Sequence, residues 1–130
     1  MPVTLAPAET AEALNADPEF ALAARYWNVR LRLFIGNDDY FVDVVDGVVV
    51  RIRAGATGFD SYTVTVGGPV DVWEQILATT PRPFYQDFWS AFMRHGFTIS
   101  GDLELAYAYY GALRRMTEIL RSLHNQGGSA

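Results

Sequence analysis

The sequence predicts a single domain of the α+β class. Three observations carry that prediction: apolar–polar alternation through the first half of the chain, a switch to helical spacing after Gly67-Gly68-Pro69, and a length of 130 residues of which half are hydrophobic. A chain of this size buries roughly two-thirds of the surface its unfolded form exposes, enough for one sizeable core and not for two.

Two short helical pieces open the chain, Ala8 to Asn15 and Asp17 to about Ala24, with Asp17 placed to cap the second and Pro18 suited to its first position. Residues 1–25 read as a helical strap. From Tyr26 to Ile35 the pattern alternates, with Trp27, Val29, Leu31, Leu33 and Ile35 on one face and Asn28, Arg30 and Arg32 on the other. Gly36, Asn37 and Asp38 suit a hairpin turn into a second strand, Asp39 to Val45. Asp46-Gly47 reads as a type I′ connection into a third, Val48 to Arg53, with Val48, Val50 and Ile52 on one face. A Gly-rich loop from Gly55 to Phe59 leads to a fourth strand, Ser61 to Val66. The repeated alternation predicts a sheet with only one dry face.

The second half is helical. Val70, Trp73, Ile76 and Leu77 form one stripe, a second helix runs from about Phe84 to Arg94, and Gly96 ends it. Phe97 to Ser100 is a short strand. Asp102 caps a last helix to about His124, whose inner face carries Leu105, Tyr109, Leu113, Met116, Leu120 and Leu123. Residues 125–130 are small and polar, the composition of a disordered tail.

Several function classes are unsupported. The net charge is −5, lysine is absent, and the ten arginines are scattered, so no basic patch for nucleic acid is present. Arg30, Arg32, Arg51 and Arg53 read as the wet face of the strands. Without cysteine there are no disulfides, thiolate nucleophiles or Cys-based zinc sites. No segment approaches the roughly 20 apolar residues of a membrane span, so stable membrane insertion is not expected, and the N-terminus does not read as a signal peptide. The expected location is the cytoplasm. His95 and His124 read as helix-end residues, with no metal site. Gly55-x-x-Gly58 and Gly67-Gly68 read as turns and not as phosphate cradles. Ser61, Ser90 and Ser100 stand in no nucleophile motif, and nothing calls for a cofactor.

Two features keep functional readings open. Asp43, Tyr85, Asp87 and Tyr109 could supply acid/base groups to an enzyme of isomerase or cyclase type; the plainer reading pairs Asp43 with arginines across the sheet. The band Trp73, Phe84, Tyr85, Phe88, Trp89, Phe92, Met93 and Phe97 holds more apolar bulk than docking one helix on a sheet requires. It fits either an ordinary core or the wall of a cavity for an apolar small molecule. A homodimer or regulatory module using this face is a third reading.

The order of elements from Tyr26 to Leu123 resembles the sterol carrier protein 2-like lipid-binding domains. The likeness is carried by Asp46-Gly47 before a valine-rich strand, the alternating fourth strand, and the helix with Trp73, Ile76 and Leu77. The helix ending at Gly96, the Phe97-Thr98-Ile99-Ser100 strand and the Gly101-Asp102 step into the last helix complete it. The resemblance implies residues 26–124 as the ligand-binding domain, a curved, mostly antiparallel five-stranded sheet with helices on one face, and a hydrophobic tunnel for a lipid, sterol or polycyclic aromatic. It implies no catalytic residue and no cofactor. Trp73, Leu77, Phe88, Phe92, Met93, Tyr109, Leu113 and Met116 match the family's tunnel-lining elements. The chain departs from some members in lacking a terminal Ser-Lys-Leu and in its aromatic Pro81 to Trp89 stretch.

Overall fold

The computed structural model describes residues 5–55 and 63–128. The Ala56–Phe59 part of the expected loop, the Ser61-Tyr62 start of the fourth strand and residues 1–4 of the strap lie outside the described residues. The elements run α1 (Pro7–Ala16), α2 (Pro18–Ala23), β1 (Val29–Ile35), β2 (Asp38–Val45), β3 (Val48–Ala54), β4 (Val64–Gly68), α3 (Val70–Ile76), α4 (Phe88–Arg94), β5 (Thr98–Gly101), α5 (Leu103–Ala108) and α6 (Tyr110–Gly128). The fold is α+β, with one open five-stranded sheet in the order β3-β2-β1-β4-β5. β1 and β4 pair in parallel; the other pairings are antiparallel.

Alternation gives the sheet its two characters. Leu31, Leu33, Ile35, Val42, Val44, Val64, Val66 and Ile99 face inward and form one core with Trp73, Phe88, Leu113 and Met116 from the helices. Arg30, Asp43 and Arg51 face the opposite way. The Asp46-Gly47 turn has both residues left-handed, φ 48° and 80°, as type I′ demands. Its glycine is also needed for closeness, since a Cβ there would stand 2.7 Å from the Ala24 carbonyl oxygen.

Several details depart from the sequence reading. The β2–β3 register shifts between Asp43 and Val44, where a β-bulge interrupts the ladder. Val49 therefore turns inward and is buried, while Val48 and Val50, expected on the apolar face with Ile52, are exposed. Asn15 of α1 reaches this point and closes both backbone groups of Val49: its Nδ2 donates to the Val49 carbonyl at 2.8 Å, and the Val49 N–H donates to its Oδ1 at 2.9 Å.

Gly67 and Gly68, read as a turn, belong to β4 and pair with Phe34 and Ile35 of β1. A side chain at Gly67 would collide with the Phe34 ring and carbonyl oxygen. The absence of a Cβ is what lets the two central strands approach there.

α4 starts at Phe88, one turn later than expected, because Phe84 takes a left-handed φ of 68°. Asp87 caps it, accepting from the Ser90 N–H at 2.8 Å. Arg94 lies 4.4 Å over the Phe84 ring and Tyr85 stacks on His95 at 3.7 Å, so the preceding turn is folded back onto the helix end. The expected single last helix is broken at Tyr109 into α5 and α6. α6 continues through Gly128, past the expected end at about His124 and into the stretch read as a tail; residues 129–130 lie outside the described residues. The extension has a partner: Asn125 Nδ2 donates to the Leu77 carbonyl at 2.9 Å, beside Arg121 Nε donating to the Ile76 carbonyl at 2.9 Å. Together they satisfy carbonyls left open at the end of α3.

The N-terminal helices and α6 meet at Asp17. Its Oδ2 caps α2 by accepting from the Phe20 N–H at 2.7 Å, and its carboxylate takes a two-pronged bond from Arg115 of α6, at 2.8 and 2.9 Å. The Arg115 bond holds the Asp17 carboxyl below its usual range and raises the guanidinium in turn.

Gly67→Ala is expected to cost about 1–3 kcal/mol by overpacking, measured by chemical denaturation; a neutral result contradicts the close β1–β4 approach. Because the folded-state pKa of Asp17 is depressed, its pairing contributes stability that is complete above the unfolded value of about 3.9 and is lost as pH falls through the folded value. Asp17→Asn keeps a capping side chain, so it should flatten the acid limb of a denaturation midpoint-against-pH curve below about pH 4. An unchanged limb means the pair is not coupled to folding.

Candidate ligand-binding site

The helical layer meets the sheet through a cluster of rings. Trp73, on the buried stripe of α3, is held by its Nε1, which donates to the Phe34 carbonyl of β1 at 2.8 Å. Phe88 and Phe97 both meet Trp73 edge to face, with centroids at 5.5 and 5.2 Å, and stack on each other at 5.6 Å. Leu77, Leu113 and Met116 complete the buried layer. Trp73, Leu77, Phe88, Leu113 and Met116, all expected at the site, are thus brought into one core.

The other expected residues are placed differently. Phe92 is partly buried, edge-on to Trp89 at 6.2 Å. Tyr109 stacks on Trp27 at 5.1 Å and donates its hydroxyl to the Arg25 carbonyl at 3.3 Å. Met93 is 72% exposed and does not join the cluster, because α4 is only two turns long and turns this side to solvent.

Two tryptophans outside the expected set stand beside the α5–α6 break. Trp89 stacks on Tyr107 at 4.4 Å and lies 5.6 Å from Tyr110; Trp27 lies against Tyr109. Each has a buried indole N–H with no acceptor among the described residues. The density of tyrosines at positions 107, 109 and 110 was the available sequence signal for this cluster.

The acid/base candidates have structural partners. Asp43 accepts from Arg30 Nε at 2.7 Å and Arg51 Nη2 at 3.1 Å on the outer face of the sheet, the cross-strand pairing read from the sequence. Burial pushes its carboxyl up, but the two guanidiniums outweigh burial and hold it below the usual range. Asp87 caps α4 and receives the Tyr110 hydroxyl at 3.4 Å; burial and this carboxylate raise the Tyr110 phenol. Tyr85 is stacked on His95, which ends α4 as expected, whereas His124 lies a turn inside α6. Among the described residues no group of His, Asp and Glu is arranged to hold a metal ion.

A groove of about 910 Å³ runs where α1 meets α6. Ala13, Ile119 and Leu123 give it an apolar floor, and Asp17, Arg115 and Arg121 a charged rim. None of the expected lining residues opens onto it. Its rim arginines are engaged with Asp17 and with the carbonyls of Ile76 and Gln86.

No protein-family model matches the chain, and no curated protein does. Solved structures do. The crystal structure of sterol carrier protein 2 superposes with a TM-score of 0.71 at 17% identity, covering 86% of this chain and 90% of that one. A conserved hypothetical protein from Thermus thermophilus, described as a possible sterol carrier protein, gives 0.69 at 18% identity, covering 92% and 90%. A ubiquinone synthesis protein, UbiJ-SCP2, gives 0.52 at 13% identity, covering 87% and 90%. No helix among the described residues is long and apolar enough to cross a membrane. The element order, the mixed five-stranded sheet and these superpositions together give the chain the sterol carrier protein 2-like fold.

Proposed function

We propose that this protein binds an apolar small molecule of the lipid class, and carries or sequesters it, between the inner sheet face and the helices. The observation that supports this most is the superposition on sterol carrier protein 2 over nearly the whole of both chains. The helical layer supplies the matching chemistry, since the ring cluster of Trp73, Phe88 and Phe97 shares one buried apolar core with flexible Met116 and Leu113. A core this rich in rings favours a ligand with rings, such as a sterol or polycyclic aromatic, over a bare acyl chain.

In this reading residues 26–124 form the binding unit and residues 1–25 the strap held by Asp17 and Arg115. Trp73, Leu77, Phe88, Leu113 and Met116 line the tunnel, Phe92 and Tyr109 flank it, and Met93 sits at its outer margin. Binding comes from apolar burial, at roughly 25 cal/mol per Å², and takes place in the cytoplasm. The ligand makes room by parting side chains that close on one another in its absence, which methionine and leucine do more readily than a rigid ring cluster.

Titration with a fluorescent sterol is expected to saturate at one per chain and to raise the melting temperature, the stabilisation reaching about 2.7 kcal/mol at a hundredfold excess over Kd. Met116→Trp should fill the space and abolish uptake, at about 1–3 kcal/mol in stability, while the exposed-strand variant Val48→Ser should bind as before. No saturable binding by the unaltered protein, and no apolar compound in a solvent extract of it, would sink the reading.

A further inference from the structure

The short helix α5 is weakly attached. Of its six residues only Ala106 is buried. It is bounded by two joints: Gly101 at φ 94° before it and the non-helical Tyr109 after it. Leu105 is only partly buried against the core, and Tyr107, which stacks on Trp89, is itself 60% exposed. A segment that buries so little opens at low free energy.

What α5 covers is chemically incomplete. Trp89 is 7% exposed and its indole N–H has no acceptor among the described residues. An amide or indole donor withdrawn from water without a partner is a standing penalty, and native structures keep few of them. Phe88, the preceding residue, belongs to the ring cluster with Trp73 and Phe97, so Trp89 stands between the exposed tyrosines and the interior layer.

We propose that the ligand enters beneath α5, and that the Trp89 N–H is its polar anchor, donating to a hydroxyl, carbonyl or carboxylate oxygen on an otherwise apolar molecule. This rests on the binding reading above and specifies the ligand further: it is amphipathic, with one oxygen-bearing end. The apolar body passes inward along Phe88 toward Trp73, and the oxygen end stays under Tyr107 and Tyr110. Trp27, whose N–H also lacks an acceptor among the described residues, lies on the other side of the same joint, against Tyr109, and is the rival anchor.

The test uses two fluorescent probes that differ in one hydroxyl, 1-pyrenebutanol and 1-butylpyrene, titrated into the unaltered protein, Trp89→Phe and Trp27→Phe. Trp89→Phe should weaken the alcohol about tenfold, the worth of one good hydrogen bond, and the hydrocarbon less than about twofold. Trp27→Phe should change the ratio of the two affinities by less than about twofold. Equal losses for both probes in Trp89→Phe, or a selective loss in Trp27→Phe instead, overturn the anchor while leaving the binding reading intact. Failure of both probes to bind the unaltered protein overturns both. Should Trp89→Phe fold poorly, Tyr107→Ala tests the entrance separately: it should speed association of 1-butylpyrene several-fold in stopped flow, and an unchanged rate overturns entry beneath α5.

Discussion

The hydrogen bond from Trp73 Nε1 to the Phe34 carbonyl ties α3 to the sheet. Phe34 sits on β1, the central strand, at the place where β4 joins it in parallel through Gly67. A residue with a Cβ at position 67 would push β4 away, and Pro69 and α3 would move with it. Trp73 would then lose its acceptor, and with it the position from which it meets Phe88 and Phe97 edge to face. The ring cluster is thus set by a backbone approach in the sheet below it and not by the helices' own preferences.

Much of the fold was legible because its signals are local. Period-two alternation marked the strands, and Asp46-Gly47 named its own turn, since few residue pairs accept two left-handed conformations. Asp17 and Asp102 announced the helices that they cap. The errors have local causes too. A bulge adds a residue without changing composition, so the alternation through Val48, Val50 and Ile52 looked continuous although Val49 faces the core. The line Phe84, Phe88, Phe92 has perfect helical spacing, yet Phe84 belongs to a turn held by Arg94, a tertiary contact no periodicity encodes. The break at Tyr109 carries neither Gly nor Pro to mark it. Helix continuing past His124 depends on the Leu77 carbonyl supplied to Asn125 from a distant part of the chain.

The candidate site divides along the same line. Leu113 and Met116 follow from the amphipathic stripe of α6, and Trp73 and Leu77 from that of α3, so their burial was readable. The exposure of Met93 was not readable, because a stretch apolar on all sides does not say which side meets the core. Trp27 and Trp89 were seen as bulk. Their unsatisfied N–H groups are properties of surroundings, which appear only when the chain is folded.

The meeting of Asn15 with the bulge has a further consequence. β3 is an outer strand of an open sheet, with Val48 and Val50 bare to water. Such a margin invites another chain to extend the sheet and grow it into an aggregate. Both polar groups of the Val49 backbone are already taken by the Asn15 carboxamide, and the bulge bends the strand out of line. A newcomer strand would find its ladder interrupted in mid-course, so this one side chain acts as a stopper along that border.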